Sequence, residues 1–157
     1  MGSGQCNHLI TWSENIIQLL IYIGLFIWEL PQNIGGLLYL LFSYLLSEVQ
    51  KVEFEKGRVF IELKKTGVSL GFFVFWPSCD NRYFKLSSKN KMHEFGHSIQ
   101  SRILGPLYLL LVGIPSILRV LYRILYYTFT GLRWKNYYKG YPEDWADRLG
   151  GIIRWQK

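Results

Sequence analysis

Apolar residues in this chain are bunched into runs, and the runs limit the folds open to it more than any other feature. From Leu9 to Leu30 it reads "LITWSENIIQLLIYIGLFIWEL", 22 residues. At about 1.5 Å rise per residue, that length crosses a hydrocarbon core of roughly 30 Å. The first third is polar, so the apolar part proper is Ile16 to Trp28. Pro31 and the "PQN" and "GG" that follow read as a break. A second run, Ile34 to Leu46, has only 13 residues, marginal for a span of its own. Residues 9–47 are therefore expected to form a helical hairpin, tilted or re-entrant. A third stretch, "PLYLLLVGIPSILRVLYRILYYTF", predicts an apolar helix over 106–130, interrupted by Gly113 and Pro115. Arg119 and Arg123 share one face of it at i, i+4, placed to snorkel toward headgroups or to pair with a carboxylate.

Charge is segregated too. Residues 1–50 hold no Lys or Arg and three glutamates, Glu14, Glu29 and Glu48, whereas the remainder carries all 18 basic groups of a chain whose net charge is +7. Interleaved with apolar runs and without a nucleic-acid motif, these basic groups suit anionic lipid headgroups, and no nucleic-acid partner is expected. They also favour the cytoplasmic side of a bilayer. Cys6 and Cys79 form no CxxC, which excludes a disulfide framework or a cysteine zinc cluster. The first residues lack the positive charge of a secretory leader. "MGSGQC" begins like a myristoylation signal but has Cys6 where Ser or Thr is expected.

Between the apolar runs the period changes. In "KVEFEKGRVFIELKKTGVSLGFFVFW", Val52 and Phe54, then Val59, Ile61 and Leu63, alternate with charged residues. Period two predicts strands at 51–55, 58–64 and 68–75, with Gly57 and Gly67 at the turns. After a "PSCDNRY" loop, Ser87-Ser88 should cap a helix over 88–104, and Pro142 and Gly150-Gly151 bracket a last helix over 142–150. The expected fold class is thus an α+β membrane protein: one domain over 1–157, with three to four membrane-associated helices. A small antiparallel sheet at 51–76 lies between the N-terminal hairpin and the 88–104 helix.

That helix carries "KMHEFGHSIQS", in which His93 and His97 stand four apart with Glu94 beside the first. Two imidazoles on one helix face can hold one ion while the glutamate acts on water there. A catalytic zinc needs three protein ligands and an open position. No histidine follows His97, and the acidic residues that do are Glu143, Asp144 and Asp147, all within "PEDWADRLGG". The third ligand from that region must be a carboxylate. Glu143 and Asp147 are again i, i+4, so one can ligate while the other holds a ligand's second ring nitrogen. Asp144 reads as a solvated first-turn residue.

H-E-x-x-H followed by E-x-x-A-D resembles the gluzincin arrangement, and most closely the membrane zinc metallopeptidases of the CAAX-prenyl-protease and HtpX type. The resemblance implies His93, His97 and Glu143 as zinc ligands, Glu94 as catalytic general base, and Asp147 as the residue that orients a ligand. It covers about thirty residues around the two motifs. "WELPQNIGG" and "HSIQSRILGPLYLLLVGIPS" also resemble a group of small bacterial membrane proteins.

Several residues have two readings. Tyr137, Tyr138 and Tyr141 can donate to an oxyanion or simply anchor an interface. Arg102 and Arg148 can assist a transition state or pair with acids and headgroups. His8 lies in a polar N-terminus away from the motif. "GVSLGFFVFW" is either an exposed edge for an extended substrate or an inner strand. The expected function is a zinc metalloendopeptidase in the bacterial inner membrane. It would be multi-pass, with Zn2+ as cofactor, a peptide or membrane-protein substrate, and its site toward the cytoplasm. The alternatives are a non-catalytic membrane protein with structural zinc or a partner-binding role, and a lipid or nucleic-acid binder in which "HEFGH" is idle.

Overall fold

The structure is a computed structural model. It describes the backbone of residues 4–80 and 89–154, with side chains from residue 15 onward within those ranges. The Ser87-Ser88 cap, the end of the "PSCDNRY" loop and the side chains of Cys6 and His8 lie outside the described residues.

The elements run α1 (Gly4–Trp28), α2 (Leu30–Leu45), β1 (Val49–Glu55), β2 (Arg58–Leu63), β3 (Val68–Leu70), β4 (Phe73–Pro77), α3 (Lys89–Leu104), α4 (Ile114–Thr130) and α5 (Glu143–Leu149). A 3-10 turn at Gly105–Leu107 and a π-helical segment at Leu109–Gly113 join α3 to α4. Pro31 does not separate the first two helices, because it sits in the first turn of α2, where a missing N–H costs nothing. The chain turns at Glu29 instead, and Asn15–Trp28 meets Leu30–Leu45 at 85°. The expected hairpin is an open elbow.

The sheet is mixed, not antiparallel: its order is β1-β2-β4-β3, and β2 pairs with β4 in parallel. The reason lies at Gly71, whose φ of +61° makes a tight turn that splits the expected 68–75 strand in two. β3 and β4 close as an antiparallel hairpin, and β4 enters beside β2 while β3 takes the edge. Alternation then gives the sheet two buried faces. On one, Ile61, Leu63, Phe73 and Phe75 pack under Tyr39 and Leu40 of α2. Tyr39 meets Phe75 edge-on, with centroids 4.8 Å apart. On the other, Phe60 lies 5.9 Å from Phe95 of α3.

The helices outside this sandwich leave their apolar faces uncovered. Leu109–Thr130 is long and apolar enough to cross a membrane, and only 11% of it is buried. The bent α1–α2 pair makes a second span if it counts as one. Among the described residues one or two candidate spans stand where three to four membrane-associated helices were expected, since α3 packs between the sheet and α5, and α5 has only seven residues.

Candidate metal centre

α3 is built inside out. Asn90, His93, His97, Ser98, Gln100 and Ser101 are all buried. Buried polar groups ordinarily need partners: His93 and His97 find theirs on α5, Gln100 bonds His97 and the Pro142 carbonyl, and Ser98 donates to the Phe95 carbonyl within α3. Gly96 and Gly150 let the two backbones touch. A Cβ on Gly96 would stand 2.7 Å from the Ala146 carbonyl carbon, and one on Gly150 would strike the Met92 carbonyl. The close approach brings Glu143 and Asp147 over the two histidines.

Glu143 Oε2 lies 2.9 Å from His93 Nε2 and 3.3 Å from His97 Nε2. One donor atom from each of these three buried residues falls within 4.8 Å of the others. The atoms turned away from this point are also held. His93 Nδ1 lies 2.7 Å from Asp147 Oδ1, and His97 Nδ1 lies 2.7 Å from Gln100 Oε1. Ser116 Oγ donates to Glu143 Oε1 at 2.8 Å. Gln100 also donates through Nε2 to the Pro142 carbonyl (3.0 Å), next to Glu143, and Arg154 Nη2 donates to Asp147 at 3.0 Å. Two imidazoles and one carboxylate, with the outer atoms hydrogen-bonded, fit zinc in both donor chemistry and supporting shell.

Electrostatics follow from that packing. Burial alone would lower the His93 imidazole, but its hydrogen bonds to Asp147 and Glu143 and the nearby Glu94 charge hold it at about 9. Burial opposes ionisation of Glu143 as well, yet the two histidines keep its carboxyl far below the usual range. Asp147 is lowered against its own burial by His93 and Arg154. Glu94 moves the other way: burial raises it, with the His93 and His97 charges opposing and Glu143 adding. A raised carboxyl suits a group that takes up and returns a proton.

Glu94 lines a cavity of about 770 Å³ together with His93 and His97, in the size range of ligand sites. Gly67 makes room for it, because a Cβ there would come 2.8 Å from Glu94 Oε1. Tyr137 and Tyr138 line the same cavity, and burial raises both phenols and keeps them protonated. Tyr141 does not reach it; its hydroxyl donates to the Leu111 carbonyl. That carbonyl is the one Pro115, with no N–H, cannot serve as an i+4 partner. Arg102 sits at the elbow 3.8 Å from Glu29, and Arg148 pairs with Asp144 on the surface. Arg119 turns to backbone carbonyls. It donates to the carbonyls of Asn136 (3.0 Å), Tyr137 and Lys139 (2.7 Å), clamping the loop that leads to Glu143. Arg123 lies 4.5 Å over the Tyr137 ring.

His93, His97 and Glu143 therefore meet at one point, Asp147 holds the far side of the His93 ring, and Glu94 faces the cavity beside them. Sequence reasoning missed Gln100, Ser116, Gly96 and Arg154. Only Gln100 carried a local signal, three residues beyond His97 on the same helix face. No known protein family, characterised protein or solved structure matches the chain.

Proposed function

We propose that the protein is a membrane-embedded zinc metallopeptidase of gluzincin type. One observation carries the reading: His93, His97 and Glu143 converge in the interior, each with its remaining polar atom held by a dedicated partner. Zinc, when bound, supplies polarisation of the scissile carbonyl and a lowered pKa for the attacking water. Glu94 takes the proton from that water as its oxygen adds to the carbonyl carbon. The same carboxyl then gives the proton to the amine nitrogen as the C–N bond breaks, and the second proton of the water passes from the new carboxyl to the amine, leaving a carboxylate and an ammonium. Asp147 and Gln100 keep each histidine in the tautomer whose Nε2 lone pair points to the ion.

A structural zinc site, the alternative, is ordinarily closed by four protein ligands. Three ligands beside a 770 Å³ cavity favour catalysis over a structural or purely partner-binding role. Multi-pass insertion by α4 and the α1–α2 elbow, with the basic loops and the site toward the cytoplasm of a bacterial inner membrane, accords with the charge segregation.

The test is metal content together with turnover. Purified protein should hold one zinc per chain, and His97→Ala and Glu143→Ala should lose it. Glu94→Gln should keep the zinc yet cleave nothing in a mixed peptide library that the wild type digests in detergent micelles. A wild type that takes up no zinc when metal is added would refute the metal centre. Full turnover by Glu94→Gln would refute the general base.

A further inference from the structure

The cavity has two unlike walls. Along α4, Ile117, Val120, Leu121 and Ile124 line it at spacings of three, four and seven, which on a helix make one unbroken stripe of about 10 Å. The stripe begins next to Ser116, whose hydroxyl holds Glu143. It is not sealed by protein. Ile117 is 60% and Leu121 49% exposed, on the helix that is long and apolar enough to span a bilayer. The lining on the side where Gly67 abuts Glu94 carries the polar groups Lys65, Thr66 and Asp80 beside Val68, Leu70 and Pro77. A chain threading this cleft past the metal centre meets hydrocarbon on one side of the scissile bond and polar groups on the other.

The sheet edge adds a constraint. β3 is only three residues long, and its Ser69 carbonyl, turned away from β4, accepts the Tyr108 hydroxyl at 3.1 Å. That edge position is already taken, so a continuous backbone ladder with an incoming strand is not on offer. Recognition must then come from the polarity of the walls.

Resting on the peptidase reading above, we infer that the substrate is a membrane-anchored polypeptide cut where an apolar segment gives way to a polar flank. The apolar portion lies along α4 and the polar portion toward Lys65 and Asp80. A charged side chain against the α4 stripe would be desolvated without a partner there, so uniformly polar peptides are excluded.

The experiment measures binding to zinc-loaded Glu94→Gln protein in micelles, with binding to empty micelles subtracted. The probes are two fluorescent 16-residue peptides of one composition and palmitate as a competitor. One peptide has eight Leu/Ala/Val residues followed by eight Ser/Gln/Lys residues, and the other scrambles them. The block peptide is expected to bind at least tenfold tighter, palmitate should not displace it, and the wild type should cut it within about three residues of the junction. Val120→Asn should cut block-peptide affinity about tenfold and leave zinc content and scrambled-peptide affinity unchanged. Should Val120→Asn misfold, Ile117→Ser serves instead. Equal binding of the two peptides, no binding of either, displacement by palmitate, or indifference to both variants would overturn the inference. Loss of zinc from the parent protein would overturn the metal-centre reading instead.

Discussion

Replacing Gly96 by alanine should empty the metal site without touching a ligand. In an isolated helix the change is favourable by about 1 kcal/mol, because alanine is the better helix former. Here the new methyl would lie 2.7 Å from the Ala146 carbonyl carbon, and closer still to its oxygen, whereas ordinary contact begins at 3.4 Å. The carbonyl carbon alone requires the α5 backbone to retreat by about 0.7 Å, and the nearer oxygen requires more; Glu143, three residues before Ala146, and Asp147, one after, move with it. Metal–ligand distances tolerate only about 0.2 Å. Zinc affinity should fall at least 100-fold, or about 2.7 kcal/mol, while far-UV circular dichroism holds or gains helix. The assay is competition against a chromophoric chelator in detergent at pH 7.5. Gly24→Ala on α1, where a Cβ meets nothing within 4 Å, serves as control and should bind like the wild type. A Gly96→Ala protein binding zinc within threefold of the wild type would show that α3 and α5 do not meet as described.

Three other outcomes follow from the same geometry. Gln100→Met removes the acceptor of His97 Nδ1 and should weaken zinc roughly 10- to 100-fold, whereas Gln100→Glu keeps an acceptor and should stay within a few-fold, as the same chelator competition would report. Glu29→Ala leaves Arg58 buried without its carboxylate, a loss of roughly 3–5 kcal/mol; thermal melting should drop by roughly 10 °C, and Glu29→Ala with Arg58→Met should recover part of it. His93, raised from 6.5 to about 9 by its carboxylate partners, stabilises the metal-free protein fully below about pH 6.5 and loses that contribution as pH rises through about 9. Glu143 and Asp147, both lowered, contribute above their ordinary values and lose that contribution at acid pH. Melting in chelator should therefore decline from pH 6.5 to 9.5, and saturating zinc should flatten the decline. A chelated protein with a flat profile there would contradict the His93 network.

What could be read from the residues was whatever local spacing encodes. His93 and His97, and Glu143 and Asp147, lie one turn apart in pairs, and helix geometry alone puts each pair on one face. The structure brings the two pairs together. Strand alternation identified which side chains face inward but said nothing of partner order, which is why the parallel β2–β4 pairing was missed. It depended on Gly71 turning the chain with Asn33 Oδ1 accepting the Phe72 N–H, a contact 39 residues apart. Ser116 sat in a run that read as one apolar helix, and only the fold brings Glu143 to it. The polar residues of "WELPQN" looked like an interruption for the same reason, since their distant partners lie at residues 58, 72, 102 and 105.

Those distant partners change what the N-terminal elbow is. Trp28 Nε1 donates to the Arg102 carbonyl (3.0 Å) and Gln32 to that of Gly105, while Glu29 holds Arg58, which reaches the Ser98 carbonyl at 2.8 Å. A carbonyl in the last turn of a helix, such as that of Arg102 in α3, has no partner within it, and here Trp28 provides one. A shortened chain begun after residue 47, to be rid of its lipid-loving head, would therefore uncap the very helix that holds His93 and His97. A water-soluble version has to keep the elbow and repaint outward side chains both there, such as Leu19, Leu20, Leu38 and Leu41, and on α4, such as Leu118 and Leu125, all of them more than half exposed.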